Sequence, residues 1–247
     1  VPYLLGSHSG WCGLWVSGPD EAWVPASYYC GYNRMTTVNG LFTSGDGVGA
    51  SGHKFSSGSH AEGRMAVKAM CKYVRDHKDF KPALKQSAKE LVDICYQPVR
   101  LYLDHSKYTT AQDINPNYTK PSGFAMRLMK ATNEYGAGWM TYYQTSGKSL
   151  EMLMDMFKIM HEDSMKLGAG DLHELMRCWE MRHRLWTGEA HCRHIQFRTE
   201  SRYPGFYYRA DFPGTDDANW FCFTNSKYDP KTGQWACKKV PYHQIIP

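Results

Sequence analysis

The residues whose types and spacing could do chemistry are concentrated in Gly45–Arg64, GDGVGASGHKFSSGSHAEGR. That much glycine and serine lets backbone amides approach a ligand closely, and phosphate is the first candidate. Gly47-Val48-Gly49-Ala50-Ser51-Gly52 fits G-x-G-x-x-G, and the same glycines almost make a P-loop. The P-loop reading fails because His53 separates Gly52 from Lys54, and Phe55 stands where Ser or Thr should hold magnesium. A dinucleotide fold needs a strand before the glycines and a second strand ending in an acid after the helix. Leu41–Thr43 could supply the first, but helix-like, lysine-rich sequence follows where the second should be. A third reading remains, a strand that ends in the carboxylate of Asp46 and hands over to a helix whose N-terminus faces a ligand.

Two further groups could act on an oxyanion. His8, in Gly6-Ser7-His8-Ser9-Gly10, could donate a hydrogen bond to an oxygen or simply bond to nearby backbone. From Arg177 to Arg209 the strongly basic side chains are all arginine, joined by His183, His191 and His194 and offset by Glu180, Glu189 and Glu200. Such guanidinium forks suit oxyanions, but structural ion pairs between a helix and the tail are the favoured reading. His191-Cys192-x-His194 lacks a fourth ligand at sensible spacing and is not read as a metal site.

The elements that must position these residues fall into three textures. Residues 1–64 hold short apolar runs (Tyr3–Leu5, Leu14–Val16, Val38–Thr43) broken by turn residues, which is strand-and-loop material. Residues 65–200 read as a helical bundle. Its first helix should start near Ser59, capped by Ser59 with Glu62 completing a capping box, and run to His77 or Asp79. A second helix follows Pro82, kinked at Pro98, and 105–120 form a loop. Helices return at 122–143, 149–166 and 170–200, and Leu150, Leu153, Met154, Phe157 and Met160 make one core stripe. Residues 201–247 form an aromatic tail in which Asp229-Pro230-Lys231-Thr232-Gly233 turns a β-hairpin. That tail is either a docking surface or a clasp over the bundle.

Bulk composition narrows the class. The 247 residues are 42% hydrophobic and 21% charged, with no apolar run long enough for a bilayer. A net charge of +5 suits anionic small molecules but is too small and dispersed to argue for nucleic acid. The eight cysteines are scattered without a C-x-x-C, and are expected to be reduced thiols in a cytoplasmic protein. The opening VPYLLGSHSG, apolar and then glycine-rich at once, reads as the interior of a domain, so the chain is expected to be a fragment.

Long motifs add a resemblance. Gly40-Leu41-Phe42-Thr43-Ser44-Gly45-Asp46 resembles a late strand of FAD enzymes, and Arg198-Thr199-Glu200-Ser201-Arg202, Arg209-Ala210-Asp211-Phe212-Pro213 and Asp216-Asp217-Ala218-Asn219-Trp220 resemble the C-terminal pattern of fumarate reductase and succinate dehydrogenase flavoproteins. Within that superfamily GLFTSGDGVGASGHKFSSGSHAEGR, LLGSHSG, RHRLWTGEAHCRHI, NSKYDPKTG and PYHQIIP are similar to the alpha subunits of the dissimilatory adenylylsulfate reductase family, across essentially the whole chain.

The resemblance implies an α+β fragment: the remainder of an α/β FAD-binding domain (1–64), a helical domain (65–200) and a C-terminal tail with a β-hairpin (201–247). It implies interconversion of adenylylsulfate with sulfite and AMP through a flavin N5–sulfite adduct, in sulfate reduction or sulfur oxidation. The partner it implies is a beta subunit carrying two 4Fe–4S clusters, in a heterodimer. His8 would bind substrate beside the flavin, Asp46 would meet the ribityl chain, and Gly47, Gly52, Ser57, Gly58, Ser59 and His60 would form the cofactor's backbone cradle. Fumarate reductases carry a catalytic arginine at about the position of Phe55, so this sequence departs from dicarboxylate reduction there. A fumarate reductase-like enzyme and a non-catalytic docking scaffold remain as alternatives.

Overall fold

The computed structural model describes residues 13–18, 30–49, 56–105, 119–202 and 207–241. The chain divides into two compact units, 1–83 with 243–247, and 84–242. Among the described residues, no helix is long and apolar enough to cross a membrane.

The first unit is loop laid on helix. Leu14 pairs with Val48 in parallel and Met35 with Phe42 in antiparallel fashion, each as an isolated bridge rather than within a longer strand. The strands expected at Leu14–Val16 and Val38–Thr43 shrink to these bridges, while Tyr3–Leu5 lies outside the described residues. Gly40, at φ +79°, turns the chain within the second run, and the Thr36 N–H closes that turn on the Leu41 carbonyl at 2.8 Å. Helix α1 (Ser56–Asp76) follows, starting three residues before Ser59. Small residues Ala66 and Ala69 are buried on the helix. At its C-terminal end Tyr73 stacks on His77 (4.1 Å) and meets Tyr32 and Phe42 edge-on at 5.1 and 5.9 Å, fastening the loop.

The second unit is the helical bundle and its tail. Where one kinked helix was expected there are two, α2 (Ala88–Cys95) and α3 (Gln97–His105). The break falls at Tyr96 because Pro98 has no N–H to give to Ile94; as the second residue of a new helix it needs none. Ser87 and Glu90 form a reciprocal capping box on α2. Helix α4 (Pro121–Tyr135) stops well short of 143. Ala137 turns left-handed (φ +67°), a 3-10 turn covers Trp139–Thr141, and Tyr142 and Tyr143 are left-handed again.

Strand β1 (Gln144–Thr145), helix α5 (Gly147–Ser164) and helix α6 (Leu172–Phe197) complete the bundle. The expected stripe is the core: Leu150, Leu153 and Phe157 are fully buried against Phe124, Leu128, Cys178 and Leu185, and Met154 packs at the margin. Beyond it β2 (Tyr208–Arg209) pairs in parallel with β1. A short α7 (Asp217–Trp220) leads into the hairpin β3 (Cys222–Asp229) and β4 (Gln234–Pro241), paired throughout and turned at Gly233 (φ +69°). The α+β class and the hairpin are as the sequence predicts.

Candidate functional site

The glycine-rich segment forms a small constellation in the first unit. Gly45–Gly47 is one turn of 3-10 helix, with Gly45 buried at φ +61°. A Cβ on Gly45 would stand 3.0 Å from Ser59 Oγ, so this turn lies directly against the first turn of α1. The Gly45 N–H, turned away from any ladder, donates to buried Glu62 Oε2 at 2.9 Å. Leu14 holds the other end: its N–H donates to the Gly47 carbonyl at 2.8 Å and its carbonyl accepts from Gly49 at 3.0 Å. Asp46 sits exposed at the middle of the turn.

Ser57, Gly58 and Ser59 are therefore in the first turn of a 21-residue helix, with His60 immediately after. The first N–H groups of a helix have no i−4 acceptor, and the peptide dipoles add positive potential there. An open cleft of about 440 Å³ runs along the same helix, lined by Ser59, His60, Gly63, Arg64, Val67 and Lys68. Asp46, Gly47 and the Ser57–His60 segment thus share one neighbourhood. His8 and Gly52, the remaining expected site residues, lie outside the described residues.

The capping box expected at Ser59 and Glu62 is not formed. Because α1 begins at Ser56, Glu62 lies on the second turn and takes the Gly45 N–H instead. Its other oxygen stands 3.9 Å from Arg34 Nη2. Arg34 is left-handed (φ +65°), its carbonyl accepts from the Thr43 N–H, and its buried Nε has no partner among the described residues. Sequence reading had Glu62 only as a capping partner and did not single out Arg34, since only the fold brings Arg34 and Gly45 to Glu62.

The arginine run is architectural where it can be followed. Arg209, on β2, sends Nη1 to the carbonyls of Ile195, Gln196 and Arg198 at 2.8, 3.1 and 3.2 Å, satisfying the C-terminus of α6. Its Nε and Nη2 grip Asp211 at 2.8 and 2.7 Å, and Asp211 accepts the Gly147 N–H at the start of α5. The Arg209 guanidinium holds the Asp211 carboxyl down at about 2. Glu200, fully buried, accepts from Arg198, from Arg202 twice and from the Asp216 N–H. Burial opposes its ionisation, but the bonds from Arg202, Asp216 and Arg198 outweigh that and keep it below the ordinary carboxylate range.

His194 of α6 and several aromatic residues of the tail are also engaged internally. His194 meets Thr224 Oγ1 through Nδ1 (3.0 Å) and Ser226 Oγ through Nε2 (2.9 Å), which leaves neither ring nitrogen for a metal. Among the described residues, no cluster of three metal-ligating side chains occurs. Tyr228 and Trp235 pack on Trp186 of α6 at 4.6 and 6.1 Å, and Trp220 packs edge-on against Phe197 at 5.5 Å. These contacts make the hairpin a clasp over α6. The described cysteines are all free thiols, and burial pushes Cys178 and Cys192 up to about 12.

Comparison with known proteins agrees with this picture. Residues 147–246 match the family described as fumarate reductase flavoprotein C-term. Over its entire length the chain is 57% identical to the adenylylsulfate reductase subunit alpha of Megalodesulfovibrio gigas, of which it spans 38%. Its fold matches the adenylylsulfate reductase of the hyperthermophile Archaeoglobus fulgidus with a TM-score of 0.88 and 45% identity, covering 98% of this chain and 38% of that one. A structure of adenosine-5-phosphosulfate reductase in complex with sulfite, described as a covalent adduct, matches with a TM-score of 0.87 and 44% identity, with the same coverage of each chain. By sequence and by fold the chain is similar throughout its length to adenylylsulfate reductase alpha subunits, of which it spans somewhat over a third.

Proposed function

We propose that this chain contributes the flavin-facing turn and the helical domain of an FAD-dependent adenylylsulfate reductase. The observation that carries the reading is the contact of buried Gly45 with Ser59, which sets the turn that carries Asp46 against the first turn of α1. That arrangement fits a flavin: bare amides and a positive helix end for the pyrimidine edge, glycine where a Cβ would collide, and a carboxylate for hydroxyl groups. When bound, FAD supplies two-electron chemistry at N5. The protein's part is to bind and orient. Asp46 would accept hydrogen bonds from the ribityl hydroxyls; Gly47, Gly52, Ser57, Gly58, Ser59 and His60 would supply the cradle; and the α1 dipole would offset negative charge on the ring.

The likeness to the Megalodesulfovibrio gigas protein extends this to the reaction: adenylylsulfate takes up two electrons and yields sulfite and AMP, or the reverse. His8, in GSHSG, donates to a sulfate oxygen and stabilises charge as the sulfur–oxygen bond to the phosphate breaks. Electrons arrive from an iron–sulfur beta subunit. Residues 1–64 are the C-terminal piece of the FAD-binding domain, 65–200 the helical domain and 201–247 its tail.

The full-length subunit, purified with its partner, tests this. AMP-dependent oxidation of sulfite, with bleaching of the flavin band when sulfite is added, is the expected result. A flavin that is reoxidised by fumarate but is indifferent to sulfite and AMP would replace the assignment with the dicarboxylate alternative.

A further inference from the structure

The flavin-facing turn is held by the Glu62 side chain, which reads in the sequence only as a helix-capping residue. Gly45 is buried in a left-handed conformation, and its N–H meets a side chain rather than a backbone carbonyl among the described residues. Glu62 Oε2 does so at 2.9 Å, from a helix that presents Ser57, Gly58 and Ser59 one turn earlier. Glu62 lies three residues beyond Ser59, about 4.5 Å along the axis. Its carboxylate is therefore close behind the positive helix end, buried, and facing Arg34 at 3.9 Å. The same Arg34 accepts the Thr43 N–H through its carbonyl, on the segment that leads into the turn.

We propose that Glu62 is a positioning residue for the flavin, and that it acts in two separable ways. Its oxygen fixes the Gly45–Gly47 turn, and hence Asp46, against the first turn of α1. Its charge opposes the helix-end potential felt by the ring, and Arg34 moderates that opposition. This rests on the flavin reading above. A structural carboxylate alone would affect folding; a positioning one also sets how tightly FAD binds and at what potential it is reduced.

Glu62→Gln and Glu62→Ala separate the two effects in the full-length subunit. FAD dissociation constants, the flavin midpoint potential and the melting of the apoprotein are measured for both. The amide oxygen of Glu62→Gln still accepts from Gly45, so FAD affinity should stay within about twofold while the potential rises. Glu62→Ala leaves the Gly45 N–H without an acceptor and should weaken FAD binding about tenfold. Unchanged affinity in Glu62→Ala, or equal loss of affinity in both variants, would overturn the positioning role. If Glu62→Ala does not fold, Glu62→Gln still decides, because an unshifted potential contradicts the proposal. Wild-type protein with no affinity for FAD would sink the flavin reading itself, a result distinct from failure of the variants.

Discussion

Two arginine–carboxylate devices, one in each unit, use the same chemistry differently. In the helical unit, Arg209 ties three carbonyls at the end of α6 to Asp211, which in turn takes the Gly147 N–H at the start of α5. All three of its guanidinium nitrogens are engaged, which makes the device architecture. In the other unit, Arg34 stands 3.9 Å from Glu62, and its Nε is buried without a partner among the described residues. Glu62 spends its hydrogen bond on a turn that carries an exposed Asp46. Saturated clusters hold elements together; a looser one beside a helix N-terminus is where a ligand's contribution is expected.

That contrast can be broken at either end. The largest effect should come from Arg209→Met, which removes a buried guanidinium and orphans three helix-end carbonyls. At about 1–3 kcal/mol for each buried acceptor left without a donor, the loss should exceed about 3 kcal/mol, read from denaturant unfolding. Flavin content of the folded fraction should not change. Gly45→Ala should cost less, about 1–3 kcal/mol, because alanine at φ +61° is strained and its Cβ would press on Ser59. Here the loss should appear in FAD retention by the full-length subunit, and retention equal to wild type would remove the turn from the site.

The smallest effect concerns acid. Asp211, held at about 2 by Arg209, lies below its ordinary 3.8, so its stabilising contribution is present above about pH 4 and lost as pH falls towards 2. With its side chain 34% exposed, solvent screening leaves about 1 kcal/mol at most. Asp211→Asn should flatten the pH dependence of stability between pH 4 and 2 by that amount. An unaltered slope would show that the pair's charge adds nothing to its hydrogen bonds.

The sequence made the second unit more legible than the first, for a physical reason. Leu150, Leu153, Phe157 and Met160 recur at helical spacing, and Asp229 to Gly233 carry their own turn chemistry, so local pattern and tertiary outcome agree. The arginines were readable as ion pairs because their carboxylates lie close by in the sequence, Glu200 between Arg198 and Arg202 and Asp211 just after Arg209. What local pattern could not give were outcomes decided by partners distant in sequence. Glu62 at N3 of a capping box was a sound local reading, yet α1 extends back to Ser56 and Gly45 claims the carboxylate. Likewise α4 ends at Tyr135, because the chain turns through left-handed Ala137 and β1 then pairs with β2. Asp46 was legible as a carboxylate on a glycine turn; the contact of its neighbour Gly45 with Ser59 needed the fold.

The most direct measurement is FAD binding by the full-length subunit carrying Asp46→Ala, set beside Asp171→Ala, which removes the α6 N-cap in the other unit. Removing Asp46 should weaken FAD about tenfold, since hydroxyl groups lose a charged acceptor. Removing Asp171 should reduce stability by about 1 kcal/mol and leave FAD affinity alone. Equal FAD affinity in wild type and Asp46→Ala would contradict the placement of the flavin at this turn.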